Sequence, residues 1–181
     1  MQKSLKTTYY HTVLGRIQMV NYWIFKVADD ENEKYSRKGI EIYKHRMPEC
    51  FWGLKEFTKT GRRAPNVARL KAGDFVLFYL VGKEGHCFLG TCVLDSRFRS
   101  LTSEESKNIT HAEYLDWEQG VFLRKDTINM WAKPLPIERL RGKVHFVPNN
   151  ENYGSYLQGS VTKIHDKRDY NTVVREHELN E

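Results

Sequence analysis

Aromatic and basic residues lie close together at two places in this chain, and their side chains could hold a ligand. Trp52 precedes a first group of cations: Lys55, Lys59, Arg62, Arg63 and Arg69. Trp131 precedes a second group: Lys133, Arg139, Arg141 and Lys143. Aromatic rings stack on nucleobases and cations neutralise phosphates, so the pattern predicts a nucleic-acid surface. The alternative, in which each ring belongs to the core and each charge to a solvated face, stays open for any single residue.

Common catalytic signatures are absent from the sequence. The glycines of "GKEG" lack the spacing of a phosphate-binding loop and already have a role as a turn. There is no nucleophile elbow, and "GSVTKIH" offers Ser160 and His165 without a third partner. The chain is therefore expected to bind rather than to catalyse, without a cofactor. An enzyme that uses His86 or His145 as acid or base stays open as an alternative.

Length and charge indicate one domain with a positive surface. The 181 residues suffice for one core, and 29 Lys plus Arg against 23 Asp plus Glu give a net charge of +6, which favours a polyanionic partner. Three dispersed cysteines argue against a disulfide framework, and no apolar run is long enough to cross a bilayer. We therefore expect a soluble, cytoplasmic protein. An odd separation in an extended strand should place Cys87 and Cys92 on opposite faces, so no metal site is predicted.

Several segments of the chain have the patterns of β-strands. "NYWIFKV" (21–27) is a run of strand formers, and "DFVLFYLVG" is apolar on both faces, which predicts a central strand. "HCFLGTCVLDS" returns from it as a hairpin, with a bulge expected at Gly90. "DTINMWAKPLP" and "KVHFVP" are further predicted strands.

Helix signals lie between and after these strands. Ser36 could cap a short helix, capping-box patterns predict one or two helices in residues 102–118, and an amphipathic helix should follow Asp166. Strands linked by hairpins and short helices predict an α+β protein built on a small mixed or antiparallel barrel.

The tryptophans differ in their expected environments. Trp23 sits in an apolar run and should be core. Trp131 shares its strand face with Asn129 and Lys133, which predicts a groove or rim. Phe51 and Trp52 point to opposite sides of an extended segment, so Phe51 can fill the core while Trp52 faces a ligand.

The order of these motifs resembles the EVE domain, a PUA-like fold closely related to the YTH domain. The resemblance rests on "NYWIF", "FWGL", "VARLKAGDFVLFYLVGKEGHCFLGTCVLDS" and "NYGSYLQGSVTKI", and it covers roughly residues 21 to 165. Residues 1–20 are then an N-terminal extension and residues 21–181 the EVE/YTH-like domain with its C-terminal helix.

The resemblance implies a curved β-barrel of about five or six strands that reads modified bases without catalysis. It implies methylated DNA as partner, with a flipped 6-methyladenine favoured over 5-methylcytosine. Trp52 would form one wall of an aromatic pocket, Trp117 or Trp131 a second, with Tyr79 and Asn129 as further base contacts. The cations predicted to contact the nucleic-acid backbone are Lys55, Lys59, Arg62, Arg63, Arg69, Lys133, Arg141 and Lys143.

Similar domains precede the GTP-hydrolysing motor of McrB-type restriction proteins. A GTPase motor region and a nuclease subunit are therefore possible partners, with this chain as the specificity module of a restriction system. Three other interpretations stay open: an RNA-binding PUA-like module, an enzyme that modifies nucleic acid, and a protein-interaction domain.

Overall fold

Strands outnumber helices in the computed structural model, which describes residues 19–31, 36–57, 61, 64–82, 85–109, 118–149, 157 and 159–181. The strands are β1 (Tyr22–Val27), β2 (Asp30–Glu31), β3 (Ser36–Arg37), β4 (Phe51–Gly53), β5 (Phe75–Leu80), β6 (Cys87–Val93), β7 (Arg99–Ser100), β8 (Gln119–Phe122), β9 (Asn129–Pro136) and β10 (Val161–Ile164). The α-helices are α1 (Gly39–Glu49), α2 (Ser103–Asn108) and α3 (Lys167–Glu178), and three 3-10 helices span Val67–Arg69, Lys125–Thr127 and Ile137–Leu140. In these ranges no helix has the length and apolarity needed to cross a membrane.

A five-stranded mixed sheet organises the molecule. Its order is β10-β1-β5-β6-β9, with β1 and β5 parallel and the other pairs antiparallel. β5 lies in the middle, which confirms the prediction from its two apolar faces, and β5 and β6 form the predicted hairpin. A second sheet, of order β4-β8-β7, packs against the first.

The two faces of the large sheet have separate hydrophobic cores. On the α1 face, Trp23, Phe25, Val76 and Phe78 pack with side chains of α1, β4 and β8. On the α3 face, Ile24, Leu77, Tyr79 and Phe88 pack with α3 and with the segment 137–147. Trp23 is 1% exposed, so its predicted place in the core is confirmed.

Asp74, the residue before β5, connects the first residues of the parallel β1–β5 pair by hydrogen bonds. Its buried carboxylate accepts hydrogen bonds from the backbone and side-chain amides of Asn21, at 3.0 and 3.1 Å, and from Trp23 Nε1 at 2.8 Å. The backbone N–H of Lys71 donates a fourth at 3.1 Å. One side chain therefore joins the start of β1 to the turn before β5.

A bulge interrupts β6 at the predicted position. The pairing register shifts between Phe88 and Gly90, and a Cβ on Gly90 would collide with the Asn129 carbonyl oxygen and lie 2.5 Å from the Tyr43 hydroxyl. The extra residue also changes the alternation of the strand. Cys92 therefore lies in the α1-face core and Cys87 packs against that same core, so the prediction of opposite faces was wrong.

Several local predictions need correction. α1 begins after Lys38 rather than Ser36, because Asp29 accepts the Gly39 N–H at 2.8 Å while Ser36 belongs to β3. Residues 144–147 form a tight turn with an isolated Val144–Val147 pairing instead of a strand. The strands β2, β3, β7, β8 and β10 were not predicted. The second half of the predicted helical region, residues 110–117, lies outside the described residues.

The α+β class is confirmed, with one difference in architecture. The described strands form separate sheets rather than one closed barrel. The amphipathic helix predicted after Asp166 is α3, and the Asp166 carboxylate accepts the Arg168 N–H at 2.8 Å as its N-terminal cap.

Candidate nucleic-acid interface

Trp52 lies where α1 turns directly into β4. The helix ends at Glu49, and Cys50 takes a left-handed conformation with φ of 54° that reverses the chain. β4 then pairs antiparallel with β8, placing Trp52 opposite Val121, and the Cys50 carbonyl accepts the Leu123 N–H at 2.8 Å. The short strand therefore holds Trp52 between the second sheet and the α1 face.

Both aromatic residues of "CFWGLKE" are buried. Phe51 is 1% exposed and packs against Phe122, with ring centroids 5.3 Å apart. Trp52 is 3% exposed and packs against Phe78, with centroids 5.0 Å apart. Each ring is covered: Trp52 lies in the α1-face core, and Phe51 packs against its cross-strand partner Phe122. The expectation that only Phe51 fills the core was wrong.

A cation and a phenol complete the surroundings of Trp52. The Arg46 guanidinium carbon lies 5.0 Å from the Trp52 ring centroid, and the Arg46 side chain is buried. The Tyr43 ring lies 5.2 Å from that of Phe78, and its hydroxyl donates to the Leu89 carbonyl at 3.2 Å. Burial raises the pKa of Tyr43 well above its usual value, so the phenol stays protonated. We refer to Tyr43, Arg46, Trp52 and Phe78 as the Trp52 cluster.

The Gly90 bulge borders the Trp52 cluster. The Tyr43 hydroxyl and the Asn129 carbonyl oxygen both approach the bare Cα of Gly90. Ile128, the residue before Asn129, packs against the same core as Trp52. The Asn129 backbone is therefore held at the edge of the cluster, while its exposed side chain, paired in register with Thr91, lies on the α3 side of the sheet.

Trp131 and Tyr79 lie on the other face of the sheet. Trp131 is 7% exposed and stacks on His177 of α3, with centroids 3.9 Å apart and planes at 11°. Tyr79 is buried, and its hydroxyl hydrogen-bonds His86 Nδ1 at 3.0 Å. The sheet thus separates Trp131 from Trp52, so the two do not wall one pocket. The predicted groove or rim position of Trp131 was wrong, because α3 covers the ring.

The predicted backbone contacts fall into two groups. Lys55 is exposed and lies just after β4, and Arg69 is exposed at the end of the 3-10 helix Val67–Arg69; both elements contribute to the α1-face core. Lys133, Arg141 and Lys143 are exposed beside the α3 face; Lys133 donates to the Asn180 carbonyl at 3.1 Å, and Lys143 pairs with Glu176 at 2.6 Å. Trp117, Lys59, Arg62 and Arg63 lie outside the described residues. The nucleic-acid contacts assigned to all of these residues stay predictions.

Three residues of the Trp52 cluster were missed by the sequence analysis. The signal for Arg46 was its place in the stripe Ile42, Tyr43, Arg46 and Met47, whose members are all buried on one side of α1. A cation in the middle of an apolar stripe indicates a buried partner, here the Trp52 ring.

An exposed imidazole held by a buried carboxylate was also missed. His145 Nδ1 lies 3.0 Å from Asp169 Oδ1, and the His145 backbone N–H donates to Asp169 Oδ2 at 3.2 Å. The imidazole side chain is 78% exposed and that of Asp169 6%. The two contacts fasten the turn at 144–147 to the start of α3.

The fold has known relatives among solved structures, although no family model and no curated protein matches the chain. The DUF55 domain of human thymocyte nuclear protein 1 superposes with a TM-score of 0.58 at 15% identity, over 87% of this chain and 99% of that one. Human THYN1 in complex with 5-methylcytosine-containing DNA gives 0.56 at 14%, over 87% and 98%. A hypothetical protein from Leishmania major gives 0.56 at 17%, over 91% and 99%.

These similarities extend over nearly the full length of each relative, so they concern the whole fold rather than a shared substructure. The identities are too low to transfer a ligand or a residue role. They show that this chain shares the fold of the THYN1 DUF55 domain, which confirms the EVE/PUA-like fold that the resemblance implied.

Proposed function

We propose that this chain is a non-catalytic module that binds DNA and recognises a modified base. The observation that carries the proposal is the fold shared with human THYN1, whose structure holds 5-methylcytosine-containing DNA. The net charge of +6 supports it, because a positive surface attracts the phosphate backbone before any base is read.

In this proposal the base leaves the duplex and enters at the edge of the Trp52 cluster beside the Gly90 bulge. The Asn129 amide is exposed on the α3 side of the adjoining edge strand β9, where it can pair with a base edge, and asparagine matches the donor and acceptor pattern of adenine. Trp52 itself is 3% exposed, so its ring contacts a base only after the side chains above it move. Stacking contributes about 1 to 3 kcal/mol per base and offsets the cost of flipping.

Selectivity must come from more than the methyl group. Burying one methyl contributes about 0.8 kcal/mol, roughly a fourfold preference. A pocket that leaves the second amino N–H of unmodified adenine without an acceptor adds about 1 to 3 kcal/mol against that base. Together these terms give a preference of about tenfold or more.

Two modified bases are the first to test. The sequence resemblance favours 6-methyladenine, and the THYN1 complex supports 5-methylcytosine as the second candidate. The partners that the resemblance implies, a GTPase motor region and a nuclease subunit of a restriction system, remain part of the proposal.

The proposal is tested with one duplex that carries adenine, 6-methyladenine, cytosine, 5-methylcytosine or 5-hydroxymethylcytosine at a single site. We expect one modified duplex to bind about tenfold more tightly than its unmodified twin, by fluorescence anisotropy. Asn129→Ala should reduce that preference severalfold. Asn171→Ala, an equally exposed asparagine on the outer side of α3, is the matched control and should leave the preference intact.

Trp52→Ala is a poor probe, because emptying the site of a buried tryptophan costs about 3 to 5 kcal/mol of stability. Trp52→Phe keeps most of the packing and removes the larger stacking surface, so it is the variant to compare. Equal affinities for all five duplexes would overturn the proposal. Tighter binding to matched RNA would indicate that RNA, and not DNA, is the ligand. Turnover of a labelled oligonucleotide would indicate an enzyme rather than a binding module.

A further inference from the structure

A small pocket lies between β9 and the last turn of α3, on the face opposite Trp52. Its volume is about 100 Å³, and it is lined by Lys133, Pro134, Leu135, Pro136, Arg139, His177 and Asn180. Pockets for drug-sized ligands measure about 300 to 1,000 Å³, so this one has room for a compact group of a few heavy atoms.

The charged residues of the pocket are of one sign. Lys133 and Arg139 are exposed cations, and no carboxylate is among the described lining residues. The Arg139 guanidinium has no ion pair or hydrogen bond to the described part of the chain. One N–H of the Lys133 ammonium group donates a hydrogen bond to the Asn180 carbonyl, at 3.1 Å, which leaves two N–H donors. That bond also offsets the partial negative charge at the end of α3, which would otherwise repel an anion.

One wall of the pocket includes the buried imidazole of His177, whose Nε2 makes no hydrogen bond to the described residues. His177 is 4% exposed, and among the described residues its Nε2 has no hydrogen-bond partner. The Glu181 carboxylate lies 3.7 Å from this nitrogen and is 62% exposed. Because this nitrogen is occluded, it does not face the pocket, and His177 forms part of the pocket wall.

We propose that this β9–α3 pocket binds one phosphate-type anion, held by the two cations that line it, Lys133 and Arg139. The flat guanidinium of Arg139 can donate two parallel hydrogen bonds, and Lys133 acts as a point charge. The pocket forms because four residues of β9, 131–134, lie opposite the single residue Leu89, so the strand arches away from β6 towards α3.

The phosphate could be free or part of a DNA backbone, and the second source rests on the proposed function. Asn129 and Lys133 lie on one strand, at most about 13 Å apart. A strand that presents its base near Asn129 could therefore place a neighbouring phosphate in the pocket. The two sources share the same chemistry and differ only in whether the anion belongs to a polymer.

The test is a titration of the full chain with inorganic phosphate at constant ionic strength, followed by NMR of backbone amides. We expect saturable shifts at residues 133–139 and 177–180. Arg139→Gln should weaken the affinity about tenfold, because it removes charge-assisted hydrogen bonds from an exposed residue without disturbing the core. Arg175→Gln makes the same charge change on the exposed side of α3 and should have no effect.

A second variant changes the affinity in the opposite direction. Glu181→Gln removes the carboxylate beside His177 and should tighten phosphate binding about threefold. Absence of saturable shifts, or equal affinities in the Arg139→Gln and Arg175→Gln proteins, would overturn the pocket assignment.

A DNA arm distinguishes the two sources. If Arg139→Gln weakens binding of an unmodified duplex more than Arg175→Gln does, the anion is a backbone phosphate. If phosphate binds but both variants bind DNA equally, the pocket takes a free phosphate. Neither result depends on base modification, so failure of base discrimination leaves the pocket assignment standing.

Discussion

Asp74 is a single side chain on which the stability of this fold depends. Its buried carboxylate accepts four hydrogen bonds from three residues. In Asp74→Asn one carboxylate oxygen becomes an amino group, which faces N–H donors and leaves them unpaired. We expect a loss of about 3 kcal/mol in the free energy of unfolding, measured by urea denaturation.

The matched control for that substitution is Asp95→Asn. The Asp95 side chain is 61% exposed and lies 3.8 Å from Arg124, so its removal should change stability by less than about 0.5 kcal/mol. Equal effects at the two positions would contradict the role given to Asp74.

Among the strands, β6 depends on the absence of a side chain at its bulge. In Gly90→Ala the new Cβ would collide with the Asn129 carbonyl oxygen, which belongs to the backbone of β9 and cannot rotate away. We expect a loss of about 3 kcal/mol, measured by thermal and urea unfolding. Because the collision displaces Asn129, the variant should also lose base discrimination if it still folds.

Repeating Gly90→Ala in a Tyr43→Phe protein identifies which contact causes the loss of stability. Tyr43→Phe removes the hydroxyl that lies 2.5 Å from the position a Cβ on Gly90 would take, but it leaves the Asn129 oxygen in place. The cost of Gly90→Ala should therefore persist in the Tyr43→Phe protein. Full rescue would mean that the phenol, and not the strand β9, requires glycine at the bulge.

For the molecule as a whole, both cores share the large sheet, which predicts cooperative unfolding. Val121 and Val173 are a matched pair, each fully buried on a different face of the sheet. Replacing either by alanine should cost about 2 kcal/mol and shift helix circular dichroism and tryptophan fluorescence together. Separate midpoints for the two probes would show that the faces unfold independently.

Local patterns in the sequence were sufficient to predict a large part of this fold. Two apolar faces placed β5 at the centre of the sheet, a glycine-bounded turn predicted the β5–β6 hairpin, and Gly90 indicated the bulge. The turn at 144–147 was not predictable in this way. Its apolar residues resemble a strand, yet the bonds between His145 and Asp169 fasten it to α3 instead.

The candidate site was less predictable because strand alternation gives faces only relative to the strand itself. Trp52 and Trp131 have similar flanking cations in the sequence, yet they lie on opposite faces of the large sheet. The role of Arg46 was not predicted, because its partner, the Trp52 ring, comes next to it only when α1 folds back over β4.

The sequence by itself determined which residues are available and several of the local elements: the positive charge, the β5–β6 hairpin, the bulge and the cap of α3. Tertiary structure decided which aromatic rings meet. α3 packs over Trp131 from a position far along the chain, while β4 turns Trp52 towards Phe78 on the other face. Such contacts arise from the burial of whole elements against one another, and a local pattern carries no information about which distant surface will cover it.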